Sequence, residues 1–187
     1  MKEIEILVRL YTNIDVCKNR LKNYTFIGEK QTIDDYYYDP LRDNLKPDSN
    51  LQLDECLRLR TKGDKYYITY KVDHFDKDKN WIYSDEYETE ISDIKQTKNI
   101  IKHLGLKKLL TINNKKTIYQ SDKYEIALEE VKNLGNFLEV EYCTNDKVDI
   151  IKIKNEIQEF INTLELEVSE ELNMGKPEMM LRKIENN

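Results

Sequence analysis

Residues 3–10, Glu3-Ile4-Glu5-Ile6-Leu7-Val8-Arg9-Leu10, alternate too regularly for a helix. Every even position is a branched aliphatic, and the odd positions carry two carboxylates, a leucine and a guanidinium. Successive side chains of a strand point to opposite faces, so Glu3, Glu5, Leu7 and Arg9 share one face and the four aliphatics the other. Two carboxylates two residues apart then sit within about 7 Å of each other, close enough to share a divalent cation. A lone half-solvated strand would look the same with its charges merely facing water. Recurrence decides between these readings.

The pattern recurs along the chain. Residues 55–60 place Arg58 and Arg60 opposite Leu57 and Leu59, and Lys62-Gly63-Asp64 makes a hairpin turn into a strand over residues 66–72 that carries Lys71 on its polar side. Residues 109–119 bring Ile112, Asn114, Lys116 and Ile118 into phase. Residues 124–128 set Glu125 and Glu129 against Tyr124, Ile126 and Leu128, and residues 137–143 repeat the opening spacing with Glu139 and Glu141. Further strands are read over residues 31–39, ended by Pro40, and over residues 85–91, where Glu86, Glu88 and Glu90 share a face and Glu88 is the one weighed as an interior residue. The Tyr36-Tyr37-Tyr38 run reads as strand packing, with base stacking as the rarer alternative.

Helices are read at three places. Asn13 or Asp15 caps a short one running towards Tyr24, with Val16, Arg20 and Leu21 on its face. Ser92 caps a second, with Ile94, Ile101 and Leu104 as its stripe and Gly105 as its stop. Residues 149–164 form a third, whose Ile150, Ile153, Ile157, Phe160, Ile161 and Leu164 fall on one side. Residues 73–80 read as a charged loop. Residues 169–187 read as a polar C-terminal tail whose Met179-Met180-Leu181 cluster can dock back, and residues 1–187 as a single domain. His74 and His103 read as surface histidines.

At 187 residues the chain is expected to build one core. Its net charge of -6 lacks the basic footprint that nucleic acid or an anionic membrane would need, so any anion site must be local. No apolar run reaches transmembrane length, and the first residues lack the apolar stretch of a signal peptide. Three widely spaced cysteines, Cys17, Cys56 and Cys143, fit reduced thiols better than a disulfide framework or a zinc site. A cytoplasmic location is the expectation.

The charges fall into two groups: acids Glu3, Glu5, Glu129, Glu139 and Glu141, and bases Arg9, Arg58, Arg60, Lys71 and Lys116. Apolar helix stripes need an apolar sheet face, so the helices should cover the outside while the charged faces converge. The expected fold is therefore α+β: a closed antiparallel β-barrel of about eight strands with a charged interior. Such an interior is costly unless partners, metal or ligand neutralise it. A polyphosphate with divalent cations would do so, the bases gripping phosphate oxygens and the carboxylates holding the hard cation.

Taken in order, Glu3-x-Glu5 with Arg9, Tyr37-Tyr38-Asp39, Leu57-Arg58-Leu59-Arg60, Tyr70-Lys71, Tyr87-Glu88, Lys116 with Tyr119, Leu128-Glu129-Glu130-Val131 and Leu134-Gly135-x-Phe137-Leu138-Glu139-Val140-Glu141 resemble the CYTH family. That family comprises class IV adenylate cyclases, thiamine triphosphatases and related triphosphate tunnel enzymes, and the spacing looks closest to the class IV adenylate cyclase branch. The resemblance implies a tunnel that binds a nucleoside or organic triphosphate with magnesium or manganese. It implies Glu3, Glu5, Glu129, Glu139 and Glu141 as ligands of the metal or its waters, and Arg9, Arg58, Arg60, Lys71 and Lys116 as phosphate-binding residues, with Lys71, Lys116 and Arg58 as the catalytic charges. The implied reaction is ATP to cyclic AMP and pyrophosphate. The alternatives are hydrolysis of thiamine triphosphate or inorganic triphosphate, or a sensor that binds triphosphate without turnover. Cyclisation and hydrolysis both need charge stabilisation more than a special nucleophile. Whether the chain forms a homodimer is left open.

Three positions depart from the family pattern. Leu7 stands where Glu-x-Glu-x-Lys places a lysine, Asn114 stands where the first of two bases before Tyr119 belongs, and Lys176-Pro177 lies near the place of a C-terminal Ser-Tyr. On that pattern Leu7 predicts slow turnover with retained affinity, and a faster Leu7→Lys variant.

Overall fold

The computed structural model describes residues 1–77 and 79–185. Among these, nine strands form one antiparallel sheet: β1 (Lys2–Leu10), β2 (Thr25–Tyr38), β3 (Glu55–Lys62), β4 (Lys65–Phe75), β5 (Trp81–Ile91), β6 (Lys107–Gln120), β7 (Glu125–Val131), β8 (Gly135–Thr144) and β9 (Val168–Glu171). They follow the order β5-β4-β3-β2-β6-β7-β8-β1-β9. One edge of β1 lies along β8, with Glu5 opposite Glu141 and Leu7 opposite Glu139. Its other edge is divided. Lys2 and Glu3 pair with Asp85 and Ser84 of β5, which closes eight strands into a barrel, while Val8 and Leu10 pair with Glu171 and Val168 of β9. Splitting the edge this way leaves no long unpaired ladder at the seam.

The alternation of β1 settles which side is inside. Ile4, Ile6, Val8 and Leu10 face outward into a core with Ile126, Leu128, Leu138 and Val140 of β7 and β8. The long helix α3 (Ile150–Thr163) seals that core with Ile153, Ile157 and Ile161, and the Asp149 carboxylate caps it by accepting from the Lys152 N–H at 3.0 Å. A second outer core joins Tyr37, Leu57 and Leu59 to Ile101 of α2 (Ile94–His103). The cap of α2 is Asp93 rather than Ser92, for its carboxylate accepts from both Lys95 N–H and Gln96 N–H. Leu104, expected in the stripe, is 69% exposed. In α1 (Ile14–Arg20), capped by Asn13, the buried residue is Cys17 and Val16 faces water.

Three segments differ from the sequence reading. β2 starts six residues earlier than expected, and Lys30, Thr32, Asp34 and Tyr36 are its inward side chains. The expected loop at residues 73–80 is shorter, because β4 continues to Phe75 and β5 resumes at Trp81; Asp78 lies outside the described residues. The expected polar tail is structured. It forms β9 and a helix, α4 (Lys176–Glu185), started by Pro177 in its first turn, where a fixed φ and a missing N–H are tolerated; Asn186 and Asn187 lie outside the described residues. Met179 and Met180 of α4 pack with Leu7, Tyr36, Ile112 and Phe137, so this helix stoppers one end of the barrel.

The outer core carries the barrel, so Ile157, wholly buried between α3 and the wall, is the sensitive position. Ile157→Ala is expected to lower unfolding free energy by about 2–5 kcal/mol, whereas Ile151→Ala, on the 70% exposed side of the same helix, should stay within about 0.5 kcal/mol. Urea denaturation of both variants checks this.

Candidate functional site

The barrel encloses a cavity of ≈ 320 Å³. Glu3, Glu5 and Leu7 of β1 line it with Glu139 and Glu141 of β8, and across from them stand Arg58 and Arg60 of β3, Lys71 of β4 and Lys116 of β6. Period-two alternation in each strand puts these charges on the inner face. Asn114 and Ile118 of β6 are inward as well, in the phase that the sequence predicts.

Burial forces the charges to pair. Lys71 Nζ lies 2.5 Å from Glu3 and 3.6 Å from Glu5. Lys116 Nζ lies 2.5 Å from Glu129 and 2.8 Å from Glu139, and Lys176 Nζ reaches the same two carboxylates at 2.8 and 2.5 Å. Arg60 holds Asp34 through two N–H donors at 2.8 and 2.7 Å. Arg58 is more loosely held, 3.5 Å from Glu86 and 3.7 Å from Glu88. Loss of hydration works against the Glu139 carboxylate, but Lys116 and Lys176 overcome it and hold its pKa well below the ordinary value. The same balance, with Lys71 as partner, lowers Glu3.

On the carboxylate wall the balance reverses. Glu125 of β7, Glu141 of β8 and Glu5 of β1 occupy one row of cross-strand neighbours. Like charges directly opposite destabilise a sheet. Burial first, and then repulsion from Glu3 and Glu139, push Glu141 up to about 8; burial, Glu139, Glu3 and Glu141 raise Glu5 despite Lys71. One oxygen each of Glu5, Glu139 and Glu141 lie within 4.8 Å of one another. Three hard oxygen donors converging from two strands, with two of them short of countercharge, fit a divalent cation such as magnesium or manganese. Glu3, Glu141 and Cys143 converge similarly at the end of the same wall.

Two of the residues assigned from the sequence fall elsewhere. Arg9 shares the face of Glu5 but lies past the end of the cavity, where its Nη1 donates to the Leu134 carbonyl at 2.8 Å and its guanidinium sits 5.0 Å from the Phe137 ring. The phase of a strand gives the face of a side chain and not its depth along the barrel. Glu129 is fully buried, is paired to Lys116 and Lys176, and is not among the converging oxygens. On β5, Glu86 rather than Glu88 lines the cavity; Glu88 instead accepts from the Thr69 hydroxyl at 2.7 Å. His74 is half-buried, stacked on Tyr83 and 2.9 Å from Asp85, and His103 bonds its own helix.

Leu7 needs a different account from the one its motif position invites. It faces inward, 4% exposed, directly opposite Glu139, yet it is embedded in the apolar cluster that receives Met179 and Met180. Lys176 of α4 sets an ammonium 2.5 Å from Glu139, the residue opposite Leu7. Lys176 and Asp34 are the main residues missed from the sequence. Pro177 followed by Met179 and Met180 signals a docking helix, and Asp34 could have been found as a carboxylate directly facing Arg60 had the phase of β2 been legible.

A closed antiparallel barrel with a base wall facing a carboxylate wall defines a tunnel protein with a charged interior. Residues 1–173 match the model of the CYTH domain, and the chain belongs to that family, whose members include adenylate cyclases and triphosphatases that bind triphosphates. A protein of Methanocaldococcus jannaschii named "Putative adenylate cyclase" is 28% identical over 167 residues, 89% of this chain and 91% of the relative. A solved structure from Pyrococcus horikoshii superposes with a TM-score of 0.78 at 26% identity, covering 96% of this chain and 99% of the other. A Hippeastrum protein titled a "putative adenylyl cyclase" with a dominant triphosphatase activity superposes at 0.60 with 15% identity, over 89% and 90% of the two chains; that likeness is one of fold.

If Lys176 fills the place of a base at position 7, the two sites are coupled. Leu7→Lys alone should destabilise, since it sets an ammonium into an apolar cluster and crowds a third cation onto Glu139. Lys176→Ala alone should also destabilise. The double variant should lose less than the sum of the two by about 1 kcal/mol or more, because the new lysine takes over the vacated carboxylates. Denaturant midpoints of the four proteins give the coupling; strict additivity would show that the two positions do not exchange roles.

Proposed function

We propose that this chain is a metal-dependent enzyme that binds a nucleoside triphosphate in its tunnel and converts ATP to cyclic AMP and pyrophosphate. The observation that carries the reading is the pairing of opposed walls within one closed cavity: Arg58, Arg60, Lys71, Lys116 and Lys176 for phosphate oxygens, and the row of Glu5 and Glu141 with Glu139 for a cation. The named activity of the Methanocaldococcus jannaschii relative supports the same choice. The cavity wall also presents Tyr36, Phe75 and Gln52, aromatic and amide groups that suit an organic end, in company with the charged Asp73, Glu178 and Arg182.

In this reading Glu5, Glu139 and Glu141 hold the cation, with Glu3 beside them. Bound there, magnesium or manganese would tie the carboxylate wall to the phosphate oxygens and draw negative charge from the reacting phosphorus. Arg58, Lys71 and Lys116 supply fixed positive charge where charge builds on the leaving pyrophosphate as the ribose 3'-hydroxyl attacks the alpha-phosphorus. Lys71 and Lys116 need little reorganisation, because their carboxylate partners already hold them in place. Arg60 is held by Asp34 through two N–H donors and lines the cavity.

Incubation with ATP and manganese, followed by chromatography of the products, should give cyclic AMP and pyrophosphate in equal amounts. Lys71→Ala should slow the reaction roughly 30- to 1000-fold, the cost of removing one charge-assisted contact from a transferring phosphoryl group. ADP and phosphate as products would replace the cyclase reading with hydrolysis. Bound but unchanged ATP would replace it with a sensor.

A further inference from the structure

The base wall does not end where the carboxylates do. On β3 it continues from Arg58 and Arg60 to Lys62, and on β2 it reaches Lys30, which lies directly across from Lys116. Between them stands Thr32, cross-strand neighbour of Lys62 on one side and of Asn114 on the other. Lys30 is six residues along β2 from Tyr36, where α4 docks, which places it about 20 Å away at the opposite mouth.

The bases of this corner differ from the tunnel's other bases in having no carboxylate in contact among the described residues, Glu88 acting on Lys62 only from a longer distance. Lys71, Lys116, Lys176, Arg58 and Arg60 all have carboxylate partners, but among the described residues neither Lys30 nor Lys62 has a carboxylate oxygen within 4.0 Å. Partial burial, and then the neighbouring Lys30 ammonium, press the pKa of Lys62 downward. Thr32 is 3% exposed and Asn114 4%, both line the cavity, and Thr32 Oγ1 and Asn114 Oδ1 find no hydrogen-bond partner. Buried polar atoms left unpaired are uncommon and point to a missing partner. A hydroxyl that can donate, an amide that can turn either end to a ligand, and two ammonium groups lacking counterions together suit a phosphate.

We propose that Lys30, Lys62, Thr32 and Asn114 form a phosphate subsite at the mouth opposite α4, which takes the terminal phosphate of a linear polyphosphate chain beyond those gripped by Arg58, Lys71 and Lys116. The inference rests on the triphosphate-tunnel reading and deepens it. It gives the tunnel a direction, with the organic end of the ligand towards α4 and the phosphate tail towards Lys30 and Lys62. It also makes chain length a determinant of affinity, whether the tail belongs to a nucleotide or to inorganic polyphosphate.

Calorimetric titration of the whole chain with pyrophosphate, tripolyphosphate and ATP, each with magnesium, tests it. The wild type should bind tripolyphosphate and ATP more tightly than pyrophosphate. Lys62→Ala and Lys30→Ala should each weaken tripolyphosphate and ATP about tenfold or more while leaving pyrophosphate within about twofold, and Lys62→Arg should keep most of the affinity. Loss confined to tripolyphosphate would assign the subsite to inorganic chains, and loss in both to the shared tail. Unchanged affinities in both alanine variants, or equal losses for all three ligands, would overturn the subsite while leaving the tunnel reading standing. Failure of the wild type to bind any of the three would overturn both.

Discussion

The structure depends on the mutual neutralisation of charges inside a closed sheet. Lys116 of β6 and Lys176 of α4 share Glu129 and Glu139, and all four side chains are nearly shielded from water. Taking such ions out of water is costly, and their attraction offsets the cost only where geometry and remaining hydrogen bonds are good. Removing one member would leave a buried charge without its partner, which is why the barrel, α4 and the site stand together. The outer cores of Ile157 and Ile101 hold the wall in shape, but they do not determine what the tunnel can bind.

Neutralisation is incomplete in two places, and these are where chemistry is available. Along the carboxylate wall, Glu5 and Glu141 face each other across β1 and β8 with too little positive charge nearby, so a cation would relieve them. At the mouth opposite α4, Lys30 and Lys62 have the reverse deficit. A ligand that brings a cation to one wall and extends anionic oxygens along the other satisfies both deficits at once. No helix among the described residues is long and apolar enough to cross a membrane.

Much of the barrel was legible because β1, β3 and β8 alternate strictly, so the face of Glu5, Arg58 and Glu139 follows from period two alone. β2 was harder to read. Asp34-Asp35 and Tyr36-Tyr37-Tyr38 put similar residues on both faces, and only the pairing with Arg60 distinguishes the inward Asp34 from Asp35, which bonds Lys98 and Thr111 outside. Arg9 shows a second limit, since its face was right and its depth was not. Lys176 shows a third. A polar segment far along the chain owes its place to two methionines finding Leu7 and Phe137, a contact that local periodicity does not encode. Position 7 and Lys176, far apart in the sequence, meet in space at Glu139, which lies opposite Leu7 and is paired to Lys176.

The central claim is that the tunnel's unmet charges are completed by a divalent cation and a polyphosphate together. Thermal unfolding of the chain alone, with manganese, with tripolyphosphate, and with both measures this most directly. Saturation at about a hundred times the dissociation constant stabilises a native state by roughly 2.7 kcal/mol, or about 5–10 °C for a chain of this size. The account predicts a rise of that order with both ligands, larger than the sum of the rises with either alone. A midpoint unmoved by millimolar manganese and tripolyphosphate together would contradict it.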